Sequence, residues 1–270
     1  MSIGSTLKSW SRGVRLYIAI GIVLFTLEGW WWASVSYSGS FLFATRLEEL
    51  YAWTALALLS ISISIGPICS TWRGIPGKRI LFDARRLLGI GAAWFAALHI
   101  SIAYDSLFKF ANPLTLPRTY QQAFAAGIIA LLVLLAMAFT SFDKAFNKMG
   151  VWWFRLHRFV YLAVILVLFH ALLIGTHTIH WPELIILTVA VLFILGLHIY
   201  LAFFRKKPAT KWQKATIPVI GLLLVATLFF GYSQRLDYHP FKAKPKTSPS
   251  QMQDMPGMQG MQGMEGMHSQ

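Results

Sequence analysis

The sequence predicts an all-α polytopic membrane helix bundle, and three observations carry that reading. Apolar residues make up 56% of the 270-residue chain, charged residues only 13%, and the mean hydropathy is +0.58; soluble domains carry about 25% charge. Seven stretches are long and apolar enough to cross about 30 Å of hydrocarbon, which takes roughly 20 residues. The Lys and Arg residues behind a formal net charge of +14 lie in short clusters between those stretches. A nucleic-acid binder gathers its basic residues on one folded face, so no nucleic-acid partner is expected.

The spans follow in order, each a helix because backbone in lipid must satisfy its own hydrogen bonds. Residues 15–34 form the first; it is too long for a cleaved signal, and Trp30, Trp31 and Trp32 stand where a small-residue cleavage site would be. Residues 49–70 form the second and hold Cys69, the single cysteine, expected as a buried thiol with no internal disulfide. The third, 87–108, carries His99, and the fourth is 121–141. The fifth, 156–175, carries His157 and His170; the sixth, 183–204, carries His198; the seventh is 215–233. Trp152, Trp153, Trp181 and Trp212 near span ends read as further interfacial anchors. Residues 234–270, rich in Pro, Lys, Gln, Gly and Met without apolar periodicity, read as a disordered tail.

Charge sets the direction. Seventeen of the 24 Lys and Arg residues fall in alternate connections, among them Lys8, Arg12, Arg15, Arg85, Arg86, Arg155, Arg158 and the run 205–214. The positive-inside rule then puts the N-terminus in the cytoplasm, and an odd number of spans puts the C-terminus outside. A bacterial inner membrane is the expected location, with the lipid bilayer as the chain's surroundings.

Ionisable residues inside spans are costly and point to function. Here they are mainly His99, His157, His170 and His198, with Glu28 and Asp105 nearer the outer ends. Near-absence of buried carboxylates argues against an ion transporter, and neutral imidazole is a metal ligand. His99 lies 14 residues after Arg85 and His170 lies 15 after Arg155, about 21 and 22 Å along parallel helices at 1.5 Å per residue. The two therefore share one level in the outer half, as two axial ligands of one haem require. His157 and His170 are 13 apart, about 220° around a straight helix, so they serve different sides. His157 and His198 share an inner level, open either to a second haem or to hydrogen bonding with a propionate, a quinone or backbone. Arg85, Arg86, Arg155 and Arg158 crowd that end as topology determinants, and also as partners for haem propionates or a flavin phosphate.

The runs Arg85-Arg86-Leu87-Leu88-Gly89, Ala97-Leu98-His99, Ala138-Phe139-Thr140-Ser141, Arg155-Leu156-His157-Arg158-Phe159-Val160-Tyr161-Leu162 and Leu168-Phe169-His170 resemble the ferric reductase-like transmembrane domain family. Within it they are most similar to the branch that contains the haem-binding membrane subunit of a periplasmic methionine sulfoxide reductase system. The resemblance covers about residues 45–205. It implies a six-helix core and a b-type cytochrome, with His99, His157 and His170 matching the family's haem histidines. Two-haem members carry another histidine where this chain has Arg85, which leaves one or two haem b groups open. The flavin and nicotinamide domains that follow the last span in those members are absent, so electrons come from a separate flavoprotein, a bound FMN or FAD, or a quinol.

The expected division is a cytoplasmic N-terminus (1–14), a haem-binding core (15–205), a basic loop with the seventh helix (206–233) and the extracytoplasmic tail (234–270). In the tail Met252, Met255, Met258, Met261, Met264 and Met267 recur every third residue before His268. Gly257, Gly260, Gly263, Gly266 and Pro256 oppose a helical apolar stripe. Flexible thioethers suit Cu(I) and the imidazole suits Cu(II), against a tail with no ligand at all. His177, His180 and Glu183 form a weaker metal constellation. The expected function is an oxidoreductase or electron-transfer subunit that delivers electrons to an outer acceptor, either Fe(III) or Cu(II) or a redox enzyme. The alternative is a non-redox copper-handling or metal-transport protein, opposed by the scarcity of Met and Cys inside the spans.

Overall fold

The computed structural model describes residues 3–40, 42–72, 75, 77–108, 113–174 and 196, and among them it is all-helical with no strand. These residues belong to the unit Met1–Tyr232. Helices α1 (Ile3–Ser36), α2 (Leu42–Thr71), α3 (Lys78–Ala103) and α4 (Arg118–Phe139) are followed by the short α5 (Asp143–Met149) and α6 (Val151–His157), then α7 (Val160–Ile174). Among the described residues five segments are long and apolar enough to cross a membrane: Gly13–Ser36, Leu42–Thr71, Lys78–Ser106, Arg118–Phe139 and Val151–Ile174. They coincide with the first five expected spans. The sixth span apart from Gly196, the seventh span and the tail lie outside the described residues.

Helix α3 is the hub, packing against α1, α2 and α4, while α7 packs on α4. One apolar cluster draws on four helices: Leu59 and Ile63 of α2, Ala92 and Ala93 of α3, Leu134 of α4, and Val160 and Ala163 of α7. Alanines dominate its α3 face because lipid offers helices no hydrophobic reason to associate. Close approach through small residues, which gains dispersion contacts, supplies the attraction instead. A second cluster joins Ala33, Leu47, Tyr51 and Phe95. There the Tyr51 hydroxyl donates to the Thr26 carbonyl at 2.8 Å, satisfying in the interior a group that lipid could not.

One end of the bundle is held by charge. Arg15 pairs with Asp83 at 2.8 Å and approaches Asp143 at 3.6 Å; Arg86 pairs with Asp143 at 2.7 Å and also donates to the Ser141 carbonyl. These contacts gather the starts of the first and third spans and the end of the fourth, as alternating crossings require. Helix α3 begins at Lys78, earlier than the apolar pattern shows, because its first turns carry these charges beyond the hydrocarbon. It ends in a π turn at Tyr104–Phe108.

Two departures concern the fifth span. It comprises two helices rather than one, since α6 stops at His157 and the chain turns through Arg158 and Phe159 before α7. The straight-helix offset between His157 and His170 therefore does not apply. Before it, α5 and α6 are separated by Gly150 at φ 52° and ψ −118°, a conformation closed to residues with a Cβ.

The tryptophans expected at the interfaces divide. Trp30, Trp31 and Trp152 are exposed, while Trp153 turns inward to stack on His157 with centroids 3.7 Å apart. Cys69 is a buried free thiol.

Candidate functional site

His99 on α3 and His170 on α7 meet in the bundle away from the ion-paired end. Their ring centroids are 6.1 Å apart and their planes cross at 81°. Each ring is tethered through Nδ1: His99 to the Glu48 carbonyl of α2 at 3.0 Å, His170 to the Ala123 carbonyl of α4 at 2.8 Å. A carbonyl oxygen only accepts, so both Nδ1 atoms carry the proton. In the neutral ring each Nε2 then keeps its lone pair, the tautomer a metal-ligating histidine adopts when its other nitrogen is held by backbone.

This donor set fits an iron with two axial imidazoles. Two imidazoles bonded to one metal at about 2 Å each place their ring centroids about 6 Å apart, matching the 6.1 Å observed. Four helices contribute, α3 and α7 with the imidazoles and α2 and α4 with the carbonyls that orient them. Among the described residues no group of three or more His, Cys, Asp or Glu side chains is placed to hold a metal ion.

The close seat of His170 depends on α4. A Cβ built on Gly127 would stand 2.6 Å from His170 Nδ1 and 2.8 Å from its Cε1. Its neighbours Ala123, Ala126 and Ala130 are buried as well. Near His99, Glu48 brings a carboxylate whose Oε2 is buried with no hydrogen-bond partner.

The remaining sequence-expected residues lie elsewhere. His157 is not with the His99/His170 pair. Its Nδ1 meets the Trp153 carbonyl at 3.0 Å and its Nε2 lies 3.3 Å from Ser141 Oγ. Arg86 is committed to Asp143 and Ser141, and Arg155 lies over the Trp152 ring at 4.7 Å. Arg85 lies against α2, its Nη1 3.1 Å from where a Gly66 Cβ would be. Arg158 belongs to the turn between α6 and α7, its backbone N–H donating to the Arg155 carbonyl. His198, His177, His180, Glu183, the methionines Met252 to Met267 and His268 lie outside the described residues.

Sequence reasoning missed Glu48, Ala123 and Gly127. The first two act through backbone carbonyls, which no side-chain pattern reveals. Gly127 was open to detection: glycine inside an apolar helix costs about 1 kcal/mol relative to alanine, and with Ala123, Ala126 and Ala130 it forms a stripe of small residues at helical spacing.

Comparison with known proteins places the chain among haem-binding relatives. Residues 51–168 match the family described as ferric reductase like transmembrane component. The protein-methionine-sulfoxide reductase heme-binding subunit MsrQ of Cronobacter sakazakii is 33% identical over 173 residues, covering 63% of this chain and 80% of that protein. The subunit of the same name from Pectobacterium carotovorum is 30% identical over 177 residues, with the same coverage of both chains.

Proposed function

Since this chain belongs to the ferric reductase-like transmembrane family, in common with haem-binding subunits of protein-methionine-sulfoxide reductase, we propose that it is a b-type cytochrome that carries electrons across a cell membrane. The observation that carries this reading is the His99/His170 pair, two imidazoles with centroids 6.1 Å apart and both Nδ1 atoms anchored on backbone carbonyls. Bound there, a haem would supply a one-electron Fe(III)/Fe(II) couple. The chain's part would be to hold the His99 and His170 imidazoles together as iron ligands, to raise their basicity through the Glu48 and Ala123 carbonyls, and to surround them with the apolar α3, α4 and α7 helices.

The proposed direction runs from a cytoplasmic donor, at the end bearing Arg15, Arg86 and Arg158, to an acceptor outside, with the C-terminus extracytoplasmic and residues 15–205 as the haem-binding core. The donor is a separate flavoprotein, a bound flavin or a quinol. Among acceptors, the relatives' role as reductase subunits favours a redox enzyme over free Fe(III) or Cu(II). His157, with His198, is the proposed inner site for a second haem or a quinone, and Arg85, Arg86, Arg155 and Arg158 are its proposed anion partners. The methionine-rich tail is a proposed copper site. Deleting residues 252–268 while assaying Cu(II) reduction and copper content separates that role from the core's.

The test is a dithionite-reduced minus oxidised spectrum of the purified full chain, with haem counted per polypeptide. The expected result is a b-type α band. Its absence from haem-replete preparations overturns the reading.

A further inference from the structure

In an α-helix the carbonyl of residue i accepts the N–H of residue i+4, and the Cβ of residue i+4 tilts back toward the N-terminus, over that same carbonyl. On α4 the carbonyl of Ala123 is therefore overhung by position 127. Any side chain there screens it from a neighbouring helix. The structure has glycine at 127, and the uncovered carbonyl takes a second donor from across the interface, His170 Nδ1 at 2.8 Å. The same placement leaves no room for a side chain: a Cβ at 127 would lie 2.6 Å from Nδ1, 2.8 Å from Cε1 and 3.2 Å from Cγ of that ring. Separations under 3.0 Å require something to shift. What would shift is a partly buried ring held between α7 and α4 by its hydrogen bond to the Ala123 carbonyl, not the free end of a flexible chain.

We infer that Gly127 is a positioning residue for His170: its missing side chain opens the Ala123 carbonyl to Nδ1–H and so fixes the tautomer, the plane and the donor strength of the Nε2 ligand. The inference rests on the axial-pair reading of His99 and His170 given above. No other helical glycine among the described residues stands against a histidine. Gly91 faces Ile22 and Leu58, Gly29 faces Leu50 and Tyr51, and Gly21 has nothing within 4 Å.

A purely structural view predicts the opposite sign for substitution. Gly→Ala inside a helix raises helix propensity by about 1 kcal/mol, so with a compliant neighbour Gly127→Ala would be neutral or stabilising. If the ring is displaced, it loses the carbonyl, the imidazole becomes a weaker donor, and the ferric form, which depends most on donor strength, is disfavoured. The potential then rises.

The experiment compares wild type, Gly127→Ala, the matched control Gly21→Ala and the double variant Gly127→Ala/His170→Ala as full chains in membranes. The readouts are accumulation, electron paramagnetic resonance of the ferric protein and redox titration of the b-type band. The expected result is that Gly127→Ala shifts or broadens the low-spin ferric signal and changes the ferric/ferrous equilibrium at least tenfold toward ferrous, about 59 mV for a one-electron couple, while Gly21→Ala matches wild type. An unchanged signal and potential in Gly127→Ala overturns the inference while leaving the haem reading intact. A wild type without a b-type band overturns the haem reading instead. Should Gly127→Ala fail to accumulate, recovery in the double variant to the level of His170→Ala supports collision with that ring, and failure of the double variant overturns it.

Discussion

The imidazoles of His99 and His170 stand 6.1 Å apart, each held at Nδ1 by a backbone carbonyl from a helix other than its own. The site is therefore a property of four helices, and its chemistry responds to changes in any of them.

His99→Ala and His170→Ala are each expected to abolish the low-spin ferric signal and most of the reduced b-type band. The proteins should still accumulate, because truncating a partly buried imidazole leaves the opposing carbonyl, Glu48 or Ala123, with its helical partner. Difference spectra normalised to polypeptide check this; a variant with undiminished haem shows that its histidine is not an axial ligand.

His157→Ala is expected to leave the signal of the His99/His170 pair in place. His157 is engaged with Trp153 and Ser141 and does not touch the outer rings. Haem counted per chain in this variant reports separately on an inner site, by a loss of one equivalent or none.

Tyr51→Phe removes the hydroxyl that donates to the Thr26 carbonyl at 2.8 Å while keeping the ring packed against Phe95. The carbonyl keeps its helical N–H, so the cost should be modest, about 0.5–1.5 kcal/mol. Thermal unfolding in detergent measures it, and the haem spectrum should not change.

The Arg86–Asp143 pair, 2.7 Å long with Asp143 68% exposed, is expected to show a coupling of only about 0.2–1 kcal/mol in a double-mutant cycle. Arg86→Ala alone should cost more than Asp143→Ala, since Arg86 also serves the Ser141 carbonyl. Unfolding at low and high salt separates the two contributions, because only the ion pair is screened.

Much of the site was legible in the sequence for particular reasons. Hydropathy places His99 and His170 in spans that run the same way, and a rise of 1.5 Å per residue from the basic flank puts both at one level. That argument survives the break at Arg158–Phe159, since the two rings still meet with centroids 6.1 Å apart. It does alter the angular relation of His157 to His170, which rested on a straight helix. Gly127 was visible as a breach of helix propensity, but nothing local names the ring that fills the space.

By itself the sequence determined the membrane class, the first five crossings and the matched depth of two histidines, since hydropathy, charge bias and helical rise are properties of one chain read along its length. Only the tertiary structure decided which imidazole meets which, which nitrogen keeps its lone pair and why position 127 carries no side chain. Each of those depends on a carbonyl or a void presented by another helix, and such partners leave no mark on the residues they serve.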